Sequence, residues 1–136
     1  MRGFCLWVIV NLMYKLYLLL LFIVGVINFL PVIGVLSLDR INQLYGLSLA
    51  DNNLATLLRH RALLFGLIGG FIIYSVFNPE YQVAAIILAA ISMLGYLCIL
   101  WLSGDTNSEL IKVAQIDIIG LVLLLVAVVL KIFLIR

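Results

Sequence analysis

The residues whose types and spacing could do chemistry are Arg59, His60 and Arg61, and, much further along the chain, Asp117. The first three sit in the run Leu57-Leu58-Arg59-His60-Arg61-Ala62-Leu63-Leu64-Phe65-Gly66, which continues apolar through Leu67–Ile73. Ionisable groups inside a membrane-length apolar segment are functional candidates by default, and histidine changes charge near neutral pH. Two chemistries fit. In the first, Arg61 and Asp117 form a structural ion pair that fixes helix order, with Arg59 and His60 at headgroup level. In the second, the cluster lines a pocket that holds the polar end of a lipophilic molecule such as a quinone or a lipid, or relays a proton through His60. Gln115, Tyr45 and Asn42 would complete the polar cluster on the loop side. One histidine and one aspartate do not by themselves specify a reaction.

These residues need a scaffold, and composition limits it. Of 136 residues, 67% are hydrophobic and 10% charged, with a mean hydropathy of +1.35. A soluble domain this small cannot hide so much apolar surface, so the expected solvent is the lipid bilayer. A net charge of +2 with no basic run gives no case for nucleic acid. Cys5 and Cys98 are isolated, so neither a dithiol nor a metal site is signalled. No cofactor is signalled either.

Apolar runs separated by polar breaks predict an all-α, integral membrane four-helix bundle, antiparallel and up-down-up-down. The spans fall at about 16–38, 57–77, 82–102 and 111–133, within a four-helix domain covering 13–136. Residues 1–12 form an apolar extension without an obvious place. It suits an interfacial helix, a helical extension, or an upstream start with Met13 as the working one. Pro31 lacks an N–H and clashes with the carbonyl of Ile27, which predicts a kink in the first span near Gly25, Asn28 and Gly34. Residues 39–53 mix polar with apolar side chains and should lie along the interface, with Asp51 or Asn52 capping the second helix. Asn78-Pro79 stops that helix. Thr106-Asn107-Ser108-Glu109 is a capping box for the fourth. Gly66 and Gly70 form a G-x-x-x-G pair, and Ala85, Ala89 and Ser92 a small-residue stripe, both suited to close helix packing.

Depth ties Arg61 to Asp117. Only 16 positions, about 24 Å, separate Arg61 from the helix stop, less than a full span, so Arg61 is drawn into the hydrocarbon edge. Two crossings separate the second and fourth helices, so both start from the same side. Arg61 lies 16 residues before Phe77 and Asp117 lies 16 before Phe133. A lone charge at mid-membrane costs ~2.5–3.5 kcal/mol, and pairing is the usual remedy.

Leu44-Tyr45-Gly46, the run Asp51-x-x-Leu54-x-x-Leu57-Leu58-Arg59, the stretch Arg61-x-x-x-Phe65-Gly66-x-x-Gly69, and Asp117-x-x-Gly120 resemble the DoxX-like group of small bacterial membrane proteins, including its DUF4345-type branch. The likeness covers about residues 14–135. It implies a four-helix bundle in the bacterial inner membrane, without an agreed activity, and a membrane-bound oxidoreductase as a possible partner. The leading residues fall outside it. Other small bundles fit less well. There is no acidic residue between Lys15 and Leu38, as multidrug exporters require, and no paired cysteines, as quinone-linked disulfide oxidoreductases require. Asp117 and Tyr96 are too few for a sterol-isomerase pocket, and there is no glycine-rich phosphate loop for a nucleotidyltransferase.

The first expectation for function is therefore a non-enzymatic accessory subunit or homo-oligomer, built on the uncharged third helix and the glycine pair. The alternative is a membrane-embedded binding module or enzyme for a quinone or lipid, using Arg61, Asp117 and His60. Basic residues tally evenly on the two sides: Arg2, Lys15, Lys131 and Arg136 against Arg40, Arg59, Arg61 and Lys112. If Arg59 and Arg61 are buried they count less, and cytoplasmic termini are expected.

Overall fold

Backbone polar groups lying among apolar side chains need partners, and the α-helix supplies them within each segment. The computed structural model describes residues 2–36, 52–104 and 107–135, and all of these except Asn78, Gly104 and Asn107 are helical. The elements are α1 (Arg2–Phe29), a 3-10 segment (Leu30–Leu36), α2 (Asn52–Phe77), a 3-10 turn (Pro79–Tyr81), α3 (Gln82–Ser103) and α4 (Ser108–Ile135). Four stretches are long and apolar enough to cross a membrane: Trp7–Ile33, Asn53–Phe77, Pro79–Ser103 and Ser108–Leu134. The described residues adopt the expected four-helix, all-α class. Residues 2–12 are no separate element; they continue α1 without a break.

The kink expected at Pro31 takes another form. Pro31 has no N–H to donate to the carbonyl of Ile27, and the α-helix ends at Phe29 and tightens into the 3-10 segment. Just before the switch, buried Asn28 donates its Nδ2–H to the carbonyl oxygen of Val24 at 3.0 Å, so its amide is spent on its own helix.

The helices form a ring. α1 packs chiefly on α2 and α4, and α3 packs on α4 and α2, while α1 and α3 barely touch. The core holds Tyr17, Leu21 and Val24 from α1, Ile72 from α2, Ala85, Ala89 and Met93 from α3, and Leu124 and Ala127 from α4. Ala85 and Ala89 are fully buried, so the small-residue stripe of α3 faces inward. Gly66 lies against Val32, and Gly69 lies against the backbone of Gly25 and Phe29. Gly70 looks onto open space, so close approach on α2 belongs to Gly66 and Gly69. Large apolar side chains on every helix, among them Leu19, Leu67, Ile91 and Leu125, are left exposed.

The connection from α2 to α3 is closed locally. Asn78 donates its Nδ2–H to the carbonyl oxygen of Tyr74 (2.9 Å), and its own carbonyl accepts from the N–H of Tyr81 (3.1 Å). At the start of α4 the cap is one residue later than the capping box predicts. Asn107 Oδ1 accepts from the N–H of Leu110 (2.9 Å), and the Glu109 carboxylate faces Lys112 (2.8 Å) instead of reaching back. Thr106, Asp51 and residues 39–51 of the interfacial segment expected at 39–53 lie outside the described residues, while Asn52 and Asn53 already belong to α2. Asn107→Ala should therefore lower stability by about 1 kcal/mol, and Asn107→Asp should restore most of it, as read from unfolding in detergent followed by helix signal.

Candidate functional site

Arg61 comes from the third turn of α2, and Phe65, one turn later, shares its face. Its guanidinium carbon sits 5.4 Å from the Phe65 ring centroid and 4.9 Å from that of Tyr96 on α3. A guanidinium over an aromatic face is attracted by the ring quadrupole, the more so when desolvated. Tyr96 is buried, and its hydroxyl donates to the carbonyl oxygen of Leu110 on α4 at 3.1 Å. Arg61, Tyr96 and Leu110 thus tie three helices together at one level of the bundle.

Asp117 is partly buried on α4, and Arg61 acts on it electrostatically. The depth match expected from the sequence is consistent with that reach, but the two side chains are not in direct contact. Among the described residues the one ion pair within 4.0 Å is Glu109–Lys112. The reason lies in azimuth. Arg61 lines a groove of about 370 Å³ with Phe65 on α2 and with Ser92, Gly95, Tyr96 and Ile99 on α3. Asp117 lines a different groove, of about 290 Å³, where the end of α1 meets the start of α4. Ile27, Leu30, Pro31, Val113 and Ile116 supply the apolar walls of that second groove, and Glu109 and Lys112 stand with Asp117 on its α4 side. Pro31 helps to shape it, because α1 changes helix type there.

The other expected site residues spread out. His60 and Gln115 are exposed on separate helices. Arg59 is partly buried, and its Nε is enclosed without a hydrogen-bond partner among the described residues. Tyr45 and Asn42 lie outside those residues. Among the described residues no three His, Cys, Asp or Glu side chains come together as metal ligands would, and Cys98 is free and exposed.

One constellation was not anticipated. The Tyr17 hydroxyl donates to Gln82 Oε1 at 2.9 Å, and Lys131 Nζ donates to the same oxygen at 3.1 Å. Each of these residues taken singly suits an interface anchor. The available signal was their common level, since Gln82 opens α3 while Lys131 lies in the last turns of α4.

The Asp117 groove has a definite chemical character. It pairs an apolar trough with the Asp117 carboxyl group, which shares the α4 side with the Glu109–Lys112 ion pair and is able to accept a hydrogen bond from a donor that enters along the trough. No family model, curated protein or solved structure matches this chain.

Proposed function

We propose that this chain is a multi-pass membrane protein whose helices cross in alternating directions and that it holds a lipophilic amphiphile by its polar end at Asp117. Alternation is supported by the contacts of α1 and α2. Gly25 meets Ile73, Phe29 meets Gly69 and Val32 meets Gly66, so numbers rise on one helix as they fall on the other. Membrane insertion is supported by the four apolar stretches and by the apolar side chains left exposed on every helix. The bacterial inner membrane, cytoplasmic termini and kinship with the DoxX-like group belong to the same proposal and rest on the sequence features given above.

The observation that carries the ligand reading is the groove itself. A carboxyl group on a span costs free energy unless something meets it, and here it adjoins space of about 290 Å³ instead of lying against Arg61. A hydroxyl-bearing head, such as a reduced quinone or a lipid alcohol, would meet Asp117 while its tail lies along Ile27, Leu30 and Ile116. The accessory or oligomeric reading has less support, because Ala85, Ala89, Gly66 and Gly69 are already used between helices of one chain.

Native mass spectrometry of the full chain from lipid particles tests this with a decyl-benzoquinol probe. A quinol adduct should form, the oxidised quinone should bind about tenfold more weakly for want of a donor, and Asp117→Leu should reduce quinol binding to the quinone level. Equal binding of quinol by the wild type and the Asp117→Leu protein would sink the assignment.

A further inference from the structure

A second polar site lies on the same helix as Asp117 but 14 residues, about 21 Å, further along it. Its centre is Gln82, the first residue of α3 and only 3% exposed. Gln82 Oε1 receives two hydrogen bonds, from Tyr17 and from Lys131, and Lys131 Nζ also stands 5.5 Å from the centroid of the Tyr17 ring. The ammonium is therefore positioned by two separate contacts. Gln82 Nε2 is fully enclosed and has no hydrogen-bond partner among the described residues. Flipping the amide would let Nε2 donate to the Tyr17 hydroxyl, but it would set Nε2 against the Lys131 ammonium, which only donates, and leave Oε1 as the enclosed group without a partner.

The enclosed amide N–H thus has no acceptor among the described residues, and the ammonium beside it has there as acceptor only the neutral Gln82 oxygen. A buried amide N–H left unmet is costly, and among the described residues no carboxylate lies within 4.0 Å of Lys131. Gln82 and Lys131 line an open pocket of about 320 Å³ together with Val10, Tyr14, Tyr17 and Leu134. The space is of the size of a small-molecule site, enough for a charged head and the start of a chain.

We propose that this pocket binds the anionic headgroup of a membrane lipid, a phosphate or a carboxylate. Lys131 supplies the counter-charge and the Gln82 amide the hydrogen-bond donor, once its Nε2 turns to the acceptor. The first methylenes of the acyl chain lie against Val10 and Leu134. A bare inorganic anion gains nothing from those apolar walls, and a zwitterionic head brings a cation against Lys131. The site is independent of the Asp117 groove in position and opposite to it in polarity, since it offers donors where Asp117 offers an acceptor.

The full chain, delipidated in mild detergent, is titrated by native mass spectrometry with phosphatidylglycerol, oleate, phosphatidylcholine and inorganic phosphate. Phosphatidylglycerol or oleate should bind about tenfold or more tighter than phosphatidylcholine, the better of the two identifying phosphate or carboxylate as the preferred head. Lys131→Gln should remove that preference, Lys131→Arg should keep most of it, and Gln82→Leu should weaken it several-fold. Asp117→Leu should leave it unchanged, which separates this site from the first. Undiminished acidic-lipid preference in Lys131→Gln would overturn the proposal. So would inorganic phosphate binding as tightly as phosphatidylglycerol, since that describes an anion site with no lipid. An unchanged unfolding midpoint in Lys131→Gln guards against reading a folding defect as lost binding.

Discussion

Gly69→Val is expected to cost the bundle about 3 kcal/mol or more, while Gly70→Ala, one residue away, leaves it unchanged or stabilises it by about 0.5–1 kcal/mol. A Cβ at Gly69 would stand 2.5 Å from the backbone nitrogen of Phe29 and 2.7 Å from the carbonyl oxygen of Gly25. Neither atom can swing aside; α1 as a whole would have to retreat. A Cβ at Gly70 would meet nothing within 4 Å, so only the helix preference of alanine over glycine remains. Gly120 is an intermediate case. Its Cβ would approach Met93 Sδ at 2.7 Å, the middle of a flexible side chain, and Gly120→Ala should cost about 1 kcal/mol as the thioether shifts. In lipid, packing of this kind is the main force between helices, because the tails compete equally for apolar surface. Unfolding of the three variants in mixed micelles, followed by helix signal, should rank Gly69→Val far below the other two. A flat ranking would mean that α1 and α2 do not pack through this glycine.

The contrast between Gly69 and Gly70 also marks where the sequence stops being legible. Helix existence was readable, because long apolar runs broken at Asn78-Pro79 and near residues 103–108 admit few other structures. Depth could be estimated too. The common distance of Arg61 and Asp117 from their helix ends follows from a rise that hardly varies along a helix. Azimuth was not. Each residue turns the helix by about 100°, and with nearly every position apolar no polar stripe marks the outward face. Gly66, Gly69 and Gly70 therefore look alike as letters, and only the path of α1 decides which of them is crowded. The same uncertainty separated Arg61 from Asp117. The levels expected from the sequence match, but Arg61 stands at the rings of Phe65 and Tyr96, and Asp117 lines a groove with Pro31. The Tyr17–Gln82–Lys131 cluster was hidden for another reason: interface-type residues are expected at helix ends whether or not they meet.

The second large effect is expected at Tyr96. Tyr96→Ala should destabilise the protein by about 3–5 kcal/mol, because it empties a buried ring site and removes the platform under Arg61. The ring is 6% exposed and joins three helices, with the guanidinium of Arg61 at 4.9 Å on one side and the carbonyl oxygen of Leu110 at 3.1 Å from its hydroxyl. Tyr96→Phe keeps the ring and should cost only about 1 kcal/mol, the net worth of one hydrogen bond. The difference between the two variants isolates packing and the cation–ring contact from the hydroxyl. Pairing each with Arg61→Gln then tests how Arg61 is held. If the ring holds it, Tyr96→Ala and Arg61→Gln should couple by about 1 kcal/mol in a double-mutant cycle, and Tyr96→Phe should not couple. If Asp117 holds it through charge alone, the coupling should instead appear between Arg61→Gln and Asp117→Asn, and Tyr96 should drop out. The first outcome leaves Asp117 free to meet a ligand in its groove. The second would return the pair to a structural role and withdraw the main support for a ligand there.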